Sequence, residues 1–209
     1  MALVLDTRLY YPLNTSKRGS FRLLTLQPRG SADEVICTLS HDTWEDGTRY
    51  EALSYVWGYP TLNRRTISLN GRPFSITESL YTALRDLRIW REPRIIWADA
   101  ICINQDDDVE RAEQVRYMGE IYENAERVIV WLGEADQHSD DAIFFANSLI
   151  SNIGLNLETI TQILDLNGDD KVLELLDMPL FNEYFQKPYL HLWASVIRVA
   201  RHPWWTRAG

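Results

Sequence analysis

The stretch from Arg94 to Gly133 constrains the fold of this chain more than any other feature of its sequence. It starts with an apolar run, Ile95 to Ile103, and continues through an acidic loop, Asp106 to Asp108. A segment with helical spacing of apolar residues follows, and a second apolar run, Val128 to Leu132, ends the unit. We interpret this order as strand, loop, helix and strand. Because ligands in open α/β sheets bind beyond the carboxyl ends of strands, the polar residues after the first run mark a candidate site.

Shorter strand signals precede this unit. Phe21 to Leu26 and Val35 to Leu39 have the composition of strands, and the polar residues between them predict a hairpin or meander. Tyr50 to Trp57 is a third candidate strand. Asn70-Gly71 lies between alternating apolar residues and predicts a two-residue hairpin, because a type I′ turn needs positive φ at both positions.

Helical patterns account for most of the remaining chain. Thr77 and Ser79 both offer an N-cap for a helix that runs to about Leu87. Beyond Gly133 the apolar spacing predicts a mostly helical region. Its candidate helices are Ala142 to Ile150, Leu155 to Leu166, Val172 to Leu176 and Leu190 to Ala200.

Composition disfavours several classes of function. The 209 residues carry a net charge of -9 and their basic residues do not cluster, which disfavours nucleic-acid binding. No apolar run approaches the roughly 20 residues of a membrane span, so we predict none. The N-terminus is a poor signal peptide, because charges follow a very short apolar start. Cys37 and Cys102 lie far apart, which indicates buried, reduced thiols of a cytosolic protein rather than a metal pair. The four histidines are also scattered, and we predict no metal site.

Three blocks of the chain resemble the signature blocks of the fungal heterokaryon incompatibility (HET) domain. They are YEALSYVWG at 50–58, the run at 95–133 that begins IIWADAICINQ, and HPWWTRA at 202–208. The middle block is the most specific of the three. The resemblance implies a HET domain over residues 49–209, with residues 1–48 as an N-terminal β extension packed on its core. Because the family pattern usually continues past the third block, we expect the last element of the domain to be incomplete.

The resemblance also implies a fold and a function. HET domains trigger cell death when genetically different fungal cells fuse, as part of fungal allorecognition and innate immunity, and they act in the cytoplasm. They are regarded as remote relatives of TIR domains, which self-associate. We therefore expect an α/β fold with a TIR/flavodoxin-like parallel sheet core, an added N-terminal β-hairpin region and a helical C-terminal part. Partners would be further copies and other death-signalling domains. Some TIR-like domains hydrolyse NAD with a glutamate near a helix start, so NAD is the candidate substrate and no cofactor is required.

Glu110 is the strongest candidate for catalysis, because it lies at the start of the predicted helix after the acidic loop. A carboxylate there could stabilise an oxocarbenium-like ribosyl cation, as the carboxylates of glycosidases do. The alternative is a first-turn glutamate that complements the helix dipole or pairs with a basic neighbour. Glu113 competes for the same role.

Asp99 is the second catalytic candidate. Period-two alternation over the predicted strand places it on one face with Trp97, Ile101 and Ile103. An acid inside an apolar strand is costly unless it is paired or hydrogen-bonded. It is therefore either a pocket residue with a perturbed pKa or a structural acceptor of backbone N–H or Arg hydrogen bonds.

The remaining candidates would bind the substrate. They are Ser54, Tyr55, Trp57, Asn104, Gln105, Arg111 and Gln114. Trp57 could stack on a nicotinamide or adenine ring, although core packing is the simpler interpretation. Gln114 lies on the core-facing stripe of the helix and either contacts ligand or ties the helix to a neighbouring loop. Arg111 and Arg207 could meet phosphates or form surface ion pairs. The aspartate triplet is better explained by helix-end electrostatics than by a metal.

Two hypotheses from different classes follow. The first is an effector enzyme, a TIR-like NAD glycohydrolase that clustering switches on. The second is a non-catalytic module that self-associates or recruits a partner, in which the polar block only holds the fold. A shared cleft for Glu110, Asp99 and Trp57 would favour the enzyme.

Overall fold

The computed structural model describes residues 9–14, 19–30, 34–57 and 63–153, together with residues 195, 198, 199, 203 and 204. The chain divides into two compact units, Met1–Gly133 and Glu134–Gly209. The boundary predicted at residue 48 therefore lies inside the first unit. The predicted helices at 155–166 and 172–176 lie outside the described residues, as do Arg207 and most of the predicted helix at 190–200.

A seven-stranded mixed sheet organises the first unit, with the strand order β5-β4-β2-β1-β6-β3-β7. Among the described residues, three α-helices and a short 3-10 helix at Trp44–Asp46 accompany it, and a fourth α-helix lies in the second unit. The strands are β1 (Ser20–Leu26), β2 (Ile36–Thr43), β3 (Glu51–Tyr55), β4 (Arg64–Leu69), β5 (Arg72–Thr77), β6 (Arg94–Trp97) and β7 (Arg127–Trp131). The helices are α1 (Glu78–Leu87), α2 (Asp99–Cys102), α3 (Asp108–Glu123) and α4 (Gln137–Ile153).

The sheet confirms the α/β class but is less parallel than we expected. Strands β6, β3 and β7 are parallel to one another, and β2 is parallel to β4. The other three pairings, β1 with β2, β1 with β6 and β4 with β5, are antiparallel. Strand β1 lies inside the sheet between β2 and β6, and six of its seven residues are buried.

The local signals that precede α1 are confirmed. Asn70 and Gly71 have φ of 51° and 74° and join β4 to β5, as a type I′ turn requires. The Asn70 side chain also accepts a hydrogen bond of 2.9 Å from the backbone N–H of Leu39 on β2. Thr77 caps α1 by accepting from the N–H of Leu80, and the apolar face of this helix is buried.

The predicted strand from residue 94 to residue 103 is wrong in its second half. Strand β6 ends at Trp97, and Asp99–Cys102 form the short helix α2. The N–H of Cys102 donates to Ala98, and that of Ile103 donates to Asp99, at 2.8 and 3.2 Å. An apolar run is equally compatible with a strand and with a buried helix, so the period-two faces that we assigned to Asp99 and its neighbours do not exist.

The continuous apolar run at 128–132 predicts a parallel strand that is covered on both faces, and this prediction is also wrong. Strand β7 is the last in the strand order and is parallel to β3. Val128 and Val130 are 46% and 40% exposed. The apolar run identified a strand correctly, but its place at the edge of the sheet leaves these side chains in contact with solvent.

A charge triad ties the three parallel strands together. Glu51 on β3 accepts a hydrogen bond of 2.6 Å from Arg94 on β6 and another from Arg127 on β7. Burial acts to raise the pKa of Glu51, but the hydrogen bonds and charges of the two arginines outweigh it and hold that pKa below its usual value. The triad thus fixes the relative register of β6, β3 and β7.

Candidate functional site

Arg22 is the centre of a polar cluster that covers the start of α3. It lies on β1, and its side chain is 1% exposed. Its two terminal nitrogens bind the two carboxylate oxygens of Glu110, at 2.6 and 2.8 Å. The same nitrogens donate to the carbonyls of Cys102 and Tyr11, at 3.1 and 2.7 Å. This is the two-pronged geometry for which a guanidinium is suited.

Glu110 is held in place by its helix and by the preceding loop. Asp107 is the N-cap of α3 and accepts from the backbone N–H groups of Val109 and Glu110, each at 3.0 Å. The backbone N–H of Asn104 donates to Glu110 Oε1 at 2.8 Å. Glu110 therefore accepts three hydrogen bonds, and its side chain is 10% exposed. It does not point into open solvent.

Asp99 forms a separate cluster with Trp57. The indole N–H of Trp57 donates to both carboxylate oxygens of Asp99, at 2.9 and 3.1 Å. The same carboxylate accepts from the backbone N–H of Ala100 at 2.8 Å, which starts α2. The side-chain amide of Gln105 donates to the Asp99 carbonyl at 2.9 Å. These contacts match the structural interpretation of Asp99, an acceptor that stabilises the end of β6.

Two cavities adjoin these clusters. The larger, of about 370 Å³, is lined by residues that include Trp57, Gln105 and Asp106. The smaller, of about 200 Å³, is lined in part by Glu110 and Glu113. Tyr10 and Asn104 line both cavities. Trp57 and Glu110 therefore line neighbouring cavities rather than one shared cleft, and Asp99 lines neither.

An N-terminal segment, residues 9–14, lies over the Arg22 cluster. The ring of Tyr10 lies 5.1 Å from the Arg22 guanidinium carbon, and the Tyr10 hydroxyl donates to the Ile101 carbonyl at 2.9 Å. Burial raises the pKa of Tyr10, so this phenol stays protonated. Burial also raises the pKa of Cys102 to about 12, which excludes it as a thiolate nucleophile near neutral pH.

The other predicted binding residues do not gather at these cavities. Ser54 and Tyr55 lie on β3, where Tyr55 is buried. Arg111 donates to the Gln105 carbonyl at 2.8 Å and forms an exposed ion pair with Asp108 at 2.8 Å. Gln114 is 2% exposed, and its amide donates to the Ser20 carbonyl at 2.9 Å. Arg111 thus has the contacts of a surface ion pair, and Gln114 ties α3 to the start of β1.

The acidic loop has the helix-end role that the sequence predicts. Asp107 caps α3, and Asp108 lies in its first turn. Within the described part of the chain, no group of three or more His, Cys, Asp or Glu residues could hold a metal ion. Both cysteines are buried and free, as predicted. No helix among the described residues is long and apolar enough to cross a membrane.

Sequence reasoning missed Arg22 and Tyr10. A signal for Arg22 exists, because a charged residue inside the apolar strand sequence FRLLTL must find a partner when it is buried. That partner, Glu110, lies 88 residues away in sequence and on another element. Tyr10 carries no such signal, since its role depends on where the N-terminal segment lies.

Comparison with known proteins identifies the family. A family model described as "Heterokaryon incompatibility protein (HET)" matches residues 50–208. The chain belongs to this family. It is also 41% identical, over 132 residues, to heterokaryon incompatibility protein 6, OR allele, of Neurospora crassa. That match covers 57% of this HET chain and 19% of the Neurospora protein, so the chain spans about a fifth of the relative's length. No solved structure is significantly similar to it. The family prediction is confirmed, and the relation to TIR domains stays a prediction.

Proposed function

We propose that this chain is a HET domain that induces cell death inside fungal cells during heterokaryon incompatibility. Membership of the family and the similarity to a Neurospora incompatibility protein support this role. We further propose that it acts as a non-catalytic module, through self-association or recruitment of other death-signalling domains. The Arg22–Glu110 pair carries this second part of the proposal.

The pair leaves Glu110 poorly suited to catalysis. A nucleophilic or cation-stabilising carboxylate must offer an oxygen to the substrate. Here one oxygen faces Arg22 and the Asn104 N–H, and the other faces the second Arg22 nitrogen. Breaking a buried ion pair by removing one partner costs about 3–5 kcal/mol, because it leaves an uncompensated charge. Glu110 is thus better explained as the group that joins α3 to β1.

NAD glycohydrolysis remains the second candidate, and the cavities support it. A volume of about 370 Å³ lies within the range of small-molecule pockets. Aromatic rings of Tyr10 and Trp57 and amides of Asn104 and Gln105 line it, and such groups stack on and hydrogen-bond to planar heterocycles. For Glu110 to reach a ribosyl carbon, however, Arg22 would have to release it.

Nicotinamide release from NAD separates the two candidates. The protein should be tested both dilute and artificially clustered, with Glu110→Gln as the variant and Glu113→Gln as the matched control on the same helix and cavity. We expect no release in any form. Release that Glu110→Gln abolishes and Glu113→Gln retains, with both variants folded, would establish the enzyme instead.

A death assay in fungal cells gives a second discrimination. The double variant Arg22→Met/Glu110→Met removes the carboxylate but replaces a buried ion pair with apolar groups, a change that is often neutral for stability. We expect cell death to persist in the double variant. Loss of death with an unchanged unfolding midpoint would favour a catalytic Glu110.

A further inference from the structure

A third cavity, an open cleft of about 400 Å³, lies in the first unit and shares no lining residue with the two cavities around Tyr10. Residues from 42 to 50 form one part of it, from the end of β2 to the start of β3, and Phe21 on β1 contributes to it. Asn124 and Glu126, between α3 and β7, complete it. We call it the Asp42 cleft.

Asp42 is the unusual residue of this cleft. It is 9% exposed, and its carboxylate makes no hydrogen bond or ion pair with any residue that the structure describes. Glu51 and Glu110, which are similarly buried, each bind at least one arginine. The carboxylate oxygens of Asp42 are not among the fully buried polar atoms, so they face the open cleft. A carboxylate that faces a cleft and has no counter-charge among the described residues is a group that a cationic ligand would complete.

Aromatic rings line the same cleft. The ring centroid of Phe21 lies 4.6 Å from that of Trp44 and 5.5 Å from that of Tyr50. Phe21 and Tyr50 are only 2% and 3% exposed, whereas Trp44 is partly buried, so Trp44 is the ring that can contact a cation or an apolar stem. Burial and, after it, the charge of Asp42 raise the pKa of Tyr50 to about 12, so the phenol is neutral.

The rest of the lining of the Asp42 cleft also has a negative electrostatic character. Helix α3 ends at the cleft with Asn124 as its C-cap, and the C-terminal end of a helix carries partial negative charge. Glu126 adds a carboxylate that is 51% exposed. Arg49 is the single basic residue among the described lining residues, and it is 82% exposed and lies 3.4 Å from Glu126. It pairs weakly there and leaves Asp42 without a partner.

We propose that the Asp42 cleft binds a monovalent organic cation, a guanidinium or ammonium group on an apolar stem. Asp42 is its charge partner, and the partly buried ring of Trp44 packs against its stem. The same chemistry occurs in free amines and in the Lys or Arg side chains of a partner protein. A divalent metal fits less well, since the described residues contain no three-ligand group and the wall is aromatic.

Calorimetric titration with butylguanidinium and butylammonium chlorides tests the proposal, with uncharged butylurea as the matched probe. Both cations should bind, and butylurea should bind at least tenfold more weakly. Asp42→Asn should weaken cation binding at least tenfold. Glu92→Gln removes an exposed acid outside the cleft and should change nothing. Equal binding of butylurea, full binding to Asp42→Asn, or displacement of the probe by equimolar calcium chloride would overturn the proposal.

An NMR readout keeps the test independent of how well Asp42→Asn folds. The indole N–H resonance of Trp44, assigned with Trp44→Phe, should shift on titration of the unsubstituted protein with butylguanidinium. The Trp57 resonance, at the other cavity, should not. Movement of Trp57 without Trp44 would refute the site. A titration with the peptide acetyl-Gly-Arg-Gly-amide distinguishes the two sources of the cation. Binding tighter than that of butylguanidinium indicates the side chain of a partner protein, and weaker binding indicates a free amine.

Discussion

Two acidic residues of the first unit have little exposure to solvent, yet their surroundings differ completely. The Glu110 side chain is 10% exposed and accepts two hydrogen bonds from Arg22 and one from Asn104. Asp42 is 9% exposed and has no partner among the described residues. The paired carboxylate joins two elements, whereas the unpaired one joins none, and we propose that it serves to bind a cation. Burial alone therefore does not identify a functional acid in this HET domain. The presence or absence of a counter-charge must be considered as well.

The largest loss of stability should come from removing Arg22, the partner of Glu110. Arg22→Ala leaves Glu110 buried without its counter-charge and should lower the free energy of unfolding by about 3–5 kcal/mol. Urea denaturation measures this. The double variant Arg22→Met/Glu110→Met is the control and should recover most of the loss. A double variant as unstable as Arg22→Ala would mean that the charges themselves are not the cause.

The next largest loss of stability should come from replacing Gly19, which leaves room for Trp44 at the Asp42 cleft. Gly19 has φ of +74°, and a Cβ there would lie 1.6 Å from Trp44 Nε1. Gly19→Ala should therefore cost about 2–4 kcal/mol from backbone strain and overpacking, and it should weaken butylguanidinium binding. Gly30→Ala, where a Cβ meets nothing within 4 Å, is the control and should be nearly neutral. Equal unfolding midpoints for the two variants would refute the packing argument.

Glu51 extends the comparison to a third buried carboxylate. Its folded pKa lies below the usual value of 4.5, so its contribution to stability is present above that pH and is lost as the pH falls through the folded pKa. Glu51→Gln should thus be destabilised by about 2 kcal/mol at pH 7, through the loss of charged hydrogen bonds. The gap to the unsubstituted protein should narrow below pH 4.5. A gap that stays constant on acidification would contradict the assigned charge.

The smallest effect should come from an exposed carboxylate. Asp108 is 86% exposed and pairs with Arg111 at 2.8 Å on the surface of α3. Asp108→Asn should change the free energy of unfolding by no more than about 0.5 kcal/mol. Thermal unfolding at low and high salt measures it. A loss of stability comparable with that of Arg22→Ala would show that burial does not determine how much an ion pair contributes to the free energy of unfolding in this protein.

Local signals in the sequence predicted local structure well. The Asn70-Gly71 hairpin and the Thr77 cap depend on residues within a few positions of one another, so their chemistry can be read directly. The α/β class and the helix after Asp107 follow from periodicity. The apolar run through Asp99 failed as a strand prediction, because apolar composition alone does not distinguish a strand from a buried helical turn.

The candidate site was harder to predict because its key contacts join distant elements. Glu110 was identified as the residue of interest at the helix start, but its partner Arg22 comes from β1, a strand that lies inside the sheet. A cleft shared by Glu110, Asp99 and Trp57 would have favoured the enzyme, and in the structure Trp57 and Asp99 bind each other instead. Asp42 drew no attention in the sequence, since an acid becomes unusual only when its surroundings leave it unpaired.

The stability of Glu110→Gln beside that of Asp42→Asn tests the central comparison most directly. Both variants remove one charge with little change in shape, and denaturant unfolding without ligand compares them under the same conditions. We predict a loss of about 2 kcal/mol or more for Glu110→Gln, because Arg22 loses its counter-charge. We predict no loss, or a small gain, for Asp42→Asn. A gain for Glu110→Gln, as expected when a strained functional group is removed, together with a loss for Asp42→Asn, would contradict the account.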